Sequence, residues 1–304
     1  MGDIYDSVFR TILNDCRQLI LPVINELFKE HYTGKEEIEF YPNEHFINQQ
    51  EKPNEKRITD TNFIVKANPE KKYHLECQST PDSKMLVRLF EYDAQIALDQ
   101  SNYGTESLTV EFPNSAVLYL RSNSHTPNKY KYIIKTPAGT VEYDIPIIKV
   151  KNYSLQDIFD KHLYLLLPFY IFKLESRFTE YENNKEELEK LKEEYRDIEK
   201  RLEELVENGE LSDFDRVTLK ELSNDVIISI AAKYANVKQG VEEIMRGPLI
   251  ETQARKFRDE GIAEGRFAAY IELIQEGLLS IKDAASKLGI SENSLKQKML
   301  LSNA

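Results

Sequence analysis

Hydrophobic positions between residues 4 and 31 recur at helical spacing: Ile4, Val8, Phe9, Ile12, Leu13, Cys16, Leu19, Ile20, Val23, Ile24, Leu27 and Phe28. No glycine interrupts them, so the pattern predicts one long amphipathic helix, bent at Pro22, where the ring removes a backbone donor. The period then changes. Residues 38–41, 57–67 and 73–79 read as strands, and Asn68-Pro69-Glu70-Lys71 supplies the turn that folds the last two into a hairpin. Helical spacing returns over 83–99 through Met85, Leu86, Leu89, Tyr92, Ala94 and Ile96. Ala116-Val117-Leu118-Tyr119-Leu120 is the continuous apolar run of a strand buried on both faces. Strand-like residues 130–135 and 140–150 flank the turn Pro137-Ala138-Gly139. The order helix, three strands, helix, strand predicts an α/β core with appended strands.

Beyond Ser154 the pattern is helical almost throughout. Residues 155–172 are apolar enough to pack on the preceding core. Between 182 and 206, Leu188, Leu191, Tyr195, Ile198, Leu202 and Leu205 alternate at spacings of three and four, an a/d seam with charged flanks. The seam stops at Asn208-Gly209. Two arrangements cover it: an intramolecular hairpin with a helix starting after Ser212-Asp213, which the shortness of the seam favours, or a coiled-coil homodimer. Residues 280–300 form two short amphipathic segments across Gly289, the pattern of a helix-turn-helix. The expected organisation is a domain over 1–175, a helical region with the heptad hairpin over 176–277, and a helix-turn-helix-like tail over 278–304.

Charge narrows the partners. The 304 residues carry 40 Lys and Arg against 52 Asp and Glu, a net −12. Residues 182–210 hold 6 basic and 12 acidic residues, half of that excess in one solvated helix. A globally positive field is excluded, so any contact with DNA must be local and salt-sensitive. The tail is one such place, where Lys282, Lys287, Lys296 and Lys298 outnumber Asp283 and Glu292. Cys16 and Cys77 are the only cysteines, which excludes a CxxC zinc site and a disulfide framework and indicates a reducing compartment. No secretory signal is evident, and the longest apolar run, 164–172, is broken by Pro168 and too short to span a bilayer, so a cytoplasmic protein with no membrane association is expected. The absence of a phosphate-binding G-x-x-x-x-G-K-[ST] loop and of a G-x-S-x-G elbow removes a nucleotide cofactor and serine hydrolysis.

The candidate chemistry lies in the first hairpin. Period-two alternation puts Glu76 and Gln78 on one face of their strand and Leu75 and Cys77 on the other. Folding about Pro69 returns Asp60 to their neighbourhood. Two converging carboxylates make a hard oxygen site of the kind that holds Mg²⁺ with water and substrate phosphate. Spacing alone leaves the alternative of two solvent-facing acids open. His74 shares the face of Glu76 and Gln78 and has two readings, a group that supports those residues from behind or an edge residue, of which the edge position is the one expected.

Several short segments together resemble a known family. They are Asp6-Ser7-Val8-Phe9-Arg10, Thr59-Asp60, Leu75-Glu76-Cys77-Gln78, Arg88-x-x-x-Tyr92, Leu166-Leu167-Pro168-Phe169 and Gly261-x-x-x-Gly265. The chain resembles the PD-(D/E)xK nuclease superfamily, and within it the recombination-promoting nuclease or PD-(D/E)xK nuclease family transposase group. That resemblance implies a restriction-endonuclease-like α/β core with a C-terminal all-helical region. It further implies cleavage of DNA phosphodiester bonds dependent on Mg²⁺ or Mn²⁺, associated with recombination or mobile elements. Asp60, Glu76 and the Cys77 backbone carbonyl would be the metal ligands, and Asp60, Glu76 and Gln78 the catalytic set. Gln78 stands where the superfamily usually has Lys; an amide orients water but brings neither a positive charge nor a titratable proton. Asp6 is a further metal-ligand candidate or a helix-dipole group. Arg88 and Tyr92, four apart on one helix face, and Lys296 in the tail are the candidate DNA contacts. The alternative function is a catalytically weak or inactive relative that binds DNA or protein.

Overall fold

A computed structural model of the chain describes residues 4–41, 44–49, 52–58 and 61–246, together with Ile274, Ile281 and Leu295. Residues 1–246 form one compact unit and 247–304 a second. In the second, the three described residues are helical and Leu295 is buried. The tail segment 278–304 and Gly261-x-x-x-Gly265 otherwise lie outside the described residues, as does Lys296.

The first unit opens with α1 (Ile4–Asp15), which buries Val8, Phe9, Ile12 and Leu13, followed by a 3₁₀ turn at Arg17–Leu19 and α2 (Ile20–Phe28). The single helix expected here is therefore interrupted at Cys16, whose φ of −124° is non-helical, and is not bent at Pro22. Pro22 sits in the first turn of α2, where backbone N–H groups have no helical acceptor to lose. Strand β1 (Glu37–Phe40) is followed by β2 (Glu44–Gln49) and β3 (Lys52–Ile58), which pair only with each other among the described strands. The expected strand over 57–67 is thus divided: Arg57 and Ile58 belong to β3, and β4 runs Thr61–Lys66. The segment 44–58 lacks period-two hydrophobic alternation, and so its pattern hides the ribbon.

β5 (Lys71–Gln78) completes the first hairpin, α3 (Met85–Asp99) crosses over, and a small ribbon of β6 (Asn102–Tyr103) and β7 (Leu108–Thr109) leads to β8 (Asn114–Tyr119). β9 (Lys129–Thr136) and β10 (Gly139–Lys149) form a long hairpin. The main sheet has the order β1-β4-β5-β8-β10-β9. β1, β4 and β5 are antiparallel; β5, β8 and β10 are parallel; β9 returns antiparallel at the end. The chain is thus an α/β protein with a mixed sheet.

Helices cover the sheet on both faces. Phe63, Val65, Tyr73, Leu75, Cys77, Ala116 and Leu118 face the larger core, shared with α1, α2 and the apolar segment around 163–174. Val117, Tyr119, Tyr132 and Ile145 face the smaller core, closed by Met85 and Leu89 of α3. β5 and β8 are buried on both faces, as expected of central parallel strands. The apolar segment folds as α4 (Leu155–Asp160), a 3₁₀ helix at Tyr164–Phe169 and α5 (Ile171–Leu174). Arg121, just past β8, grips Glu175 through two hydrogen bonds of 2.6 and 2.8 Å and lies 4.4 Å over the Phe172 ring, joining the sheet to this segment.

After α6 (Phe178–Asn183), the seam helix α7 (Lys185–Glu207) packs against α6, α8 (Asp213–Ile230) and α9 (Ala235–Arg246). Leu191, Tyr195, Ile198 and Leu202 are all buried there, so the seam is covered within one chain. α8 lies against α1 and the 3₁₀ helix and buries Arg216 and Lys220, both meeting Glu199 of α7. No helix among the described residues is long and apolar enough to cross a membrane.

Candidate functional site

The polar face of β5 carries a continuous hydrogen-bond network. Alternation sends Tyr73, Leu75 and Cys77 into the larger core, leaving His74, Glu76 and Gln78 beneath α3. His74 is 1% exposed and lies between two carboxylates: Nδ1 is 2.7 Å from Asp93 Oδ1 of α3, and Nε2 is 3.0 Å from Glu76 Oε1. Asp93, equally buried, also accepts from Ser115 Oγ of β8 at 2.6 Å and from Tyr132 Oη of β9 at 3.0 Å. On the other side, Gln78 Nε2 donates to Glu76 Oε2 at 3.2 Å while Gln78 Oε1 accepts from Arg88 Nη2 at 2.9 Å. Arg88 in turn meets Asp82 Oδ2 at 3.1 Å. The network rises from wholly buried Asp93 to the half-exposed pair Arg88 and Asp82, emerging at the carboxyl end of β5. In open sheets with parallel strands this is the end at which ligands are met.

The electrostatics follow from this arrangement. Burial alone would lower the basicity of His74, but the hydrogen bonds and charges of Asp93 and Glu76 outweigh it and raise its pKa to about 10. At neutral pH the imidazolium donates from both nitrogens. Tyr132 is pushed up by burial and by Asp93, so it remains a neutral donor. The ring of Tyr92 stands edge-on to His74 at 6.1 Å.

The residues singled out in the sequence fall as follows. Glu76 and Gln78 are brought together directly, with Glu76 3% exposed. Arg88 joins them through Gln78, and Tyr92 is buried against His74. Asp6 lies in the first turn of α1. The Cys77 thiol faces the larger core, opposite Glu76. Asp60 and Lys296 lie outside the described residues. The expectation that His74 occupies an edge position is wrong: β5 is flanked by β4 and β8, and two buried acids satisfy the ring. Sequence reasoning missed Asp93, Ser115 and Tyr132. Asp93 did leave a signal: it is four residues after Leu89 and three before Ile96, a charge within the buried stripe of a helix.

A separate cleft of about 670 Å³ is lined by residues including Asn25, Glu26, Lys161, His162 and Glu210. Two of its polar side chains are engaged internally: Glu26 with Lys161 and Tyr153, and Asn25 with the Tyr32 backbone.

No protein-family model, curated protein or solved structure matches the chain. Among the described residues, no three His, Cys, Asp or Glu side chains converge as a ready metal cage. One orphaned oxygen on this face is of the kind that a hard cation takes. Asn62 pairs with His74 across the hairpin and so shares its face; its Oδ1 is buried without a hydrogen-bond partner among the described residues. Cys16 and Cys77 are both buried in the larger core, so neither offers a soft ligand on this face.

Proposed function

We propose that the chain is a Mg²⁺-dependent DNA endonuclease of the PD-(D/E)xK type, associated with recombination or mobile elements. The observation that carries this reading is the position of Glu76-x-Gln78. It lies at the carboxyl end of a strand that is antiparallel to the strand before it and parallel to β8 across the α3 crossover. A helix, then β1, β4 and β5 as an antiparallel set, then α3 and β8 is the order implied for a restriction-endonuclease-like core. Thr61 faces Leu75, the neighbour of Glu76, and Asp60 immediately precedes Thr61 in the chain.

In this reading Asp60, Glu76 and the Cys77 carbonyl hold the metal, an all-oxygen set suited to Mg²⁺ or Mn²⁺. The ion would neutralise the scissile phosphate and acidify an attacking water. The chain's own residues then have distinct tasks. His74 holds one oxygen of Glu76 and Gln78 the other, while Arg88 fixes the Gln78 amide and brings a positive charge that the amide lacks. The near-complete burial of Glu76 in hydrogen bonds favours a second reading, a non-cleaving relative that only binds. The metal requirement separates the two. Plasmid DNA incubated with purified protein should be cut with Mg²⁺ or Mn²⁺, left intact in EDTA, and left intact by Asp60→Ala and Glu76→Ala. DNA that is bound in EDTA and never cut with either metal would favour the binder.

A further inference from the structure

The network behind Glu76 is more elaborate than the orientation of one carboxylate by its own strand requires. Among its members, His74 connects strand β5 to helix α3, and Asp93 connects α3 to β8 and β9 through Ser115 and Tyr132. Four secondary-structure elements therefore converge on the oxygen that faces His74 Nε2. A carboxylate on an ordinary strand has two free side-chain torsions before its terminal one; here Oε1 is fixed by His74 at 3.0 Å and Oε2 by Gln78 at 3.2 Å. His74 is itself held at its opposite nitrogen, at 2.7 Å, by an acid that two hydroxyls pin in place.

From this geometry we infer that His74 and Asp93 form a positioning pair that presets the Glu76 carboxylate for a divalent cation, Asp93 orienting the ring and the ring orienting Glu76. The inference rests on the nuclease reading above, since it takes Glu76 as a metal ligand. Groups that hydrogen-bond a metal ligand commonly change metal affinity by about 10–100-fold when removed. Neither His74 nor Asp93 touches the metal or the DNA in this scheme, so neither is a catalytic residue.

The two ring nitrogens allow the role to be dissected. His74→Gln places an amide nitrogen near the position of Nε2 and keeps a donor for Glu76. His74→Asn reaches only as far as Nδ1 and keeps the contact to Asp93 while releasing Glu76. The test is the affinity of the full chain for Mn²⁺ alone, read by the electron paramagnetic resonance signal of the free ion. Wild type, Glu76→Gln, His74→Gln and His74→Asn are compared, with thermal unfolding of each without metal. The expected result is that Glu76→Gln loses the site, His74→Asn weakens it by about tenfold or more, and His74→Gln, which keeps the donor to Glu76 but not the Asp93 contact, falls between His74→Asn and wild type. A purely structural role would lower the unfolding temperature of both His74 variants without separating their Mn²⁺ affinities. Equal affinity of wild type and His74→Asn, with Glu76→Gln still impaired, would overturn the positioning pair and leave the nuclease reading intact. No difference between wild type and Glu76→Gln would overturn both. If His74→Asn fails to fold, Ser115→Ala combined with Tyr132→Phe takes its place: the pair strips Asp93 of its hydroxyl donors without altering charge. Unchanged Mn²⁺ affinity in that variant would count against the inference as well.

Discussion

Raising the pH should destabilise this protein well below the range in which lysines and tyrosines titrate, and His74 is the reason. Its folded pKa, about 10, lies above the ordinary value of 6.5, because the hydrogen bonds of Asp93 and Glu76 outweigh its burial. A group whose folded pKa is raised contributes stability that is complete below its unfolded pKa and is lost as the pH rises through the folded one. Between those limits the folded chain holds one proton more than the unfolded chain, so each pH unit removes up to about 1.4 kcal/mol. Cys16, raised from 9.0 by burial and Asp215, adds its own loss only above that value, and the buried tyrosines, raised from 10.0, higher still. From about pH 6.5 to 8.5 the His74 contribution precedes both of these losses and should amount to roughly 2–3 kcal/mol, a large share of the roughly 5–15 kcal/mol that holds a typical domain. The assay is equilibrium urea unfolding across that range for wild type and His74→Gln, which keeps a donor but cannot be charged. Wild type should lose stability steadily while His74→Gln changes little. Parallel slopes in the two proteins would refute the argument, since they would show that His74 carries the same proton in the folded and unfolded states.

Three further outcomes are expected. Ile198→Ala, at a 1% exposed seam position of α7, should cost about 2–5 kcal/mol by calorimetry or urea titration, and a cost near zero would mean the seam is not packed as described. Tyr132→Phe removes the donor at 3.0 Å from Asp93 Oδ2 and should cost about 1–3 kcal/mol of stability, an unchanged midpoint showing that the bond is not formed in solution. Gln78→Lys leaves Arg88 with Asp82 but deprives it of its acceptor on β5 and sets two cations side by side, so Mg²⁺-dependent cleavage should be higher in Gln78→Lys/Arg88→Met than in Gln78→Lys alone; the reverse order would show that Arg88 is needed for its own charge.

The elements whose side chains alternate or recur cleanly were legible in the sequence: α3 from Leu89, Tyr92 and Ile96, β8 from its unbroken apolar run, and the β9–β10 hairpin from its turn. Where the pattern misled, a local rule was outweighed. Proline at 22 announces a bend only in a helix interior, and the break at Cys16 moved it into a first turn, where it costs no hydrogen bond. The β2–β3 ribbon carries no hydrophobic stripe to betray it. At the site, Glu76 and Gln78 were legible because period two puts them on one face. His74 was misplaced because its neighbours on the same strand face, Lys72 and Glu76, are charged, and only the fold brings Asp93 of a helix over it. That partner lies 19 residues away in sequence, and Tyr132 lies a further 39 from Asp93, distances over which no local pattern reports a hydrogen bond.

The central claim is that Glu76, with Asp60, holds a catalytic divalent ion, and the position of that ion tests it most directly. Crystals soaked in Mn²⁺ and measured for anomalous scattering should show one peak within coordination distance of both carboxylates, at about 2–2.3 Å. A peak elsewhere with none at Glu76, in crystals whose protein cuts DNA in the same Mn²⁺ solution, would contradict the account.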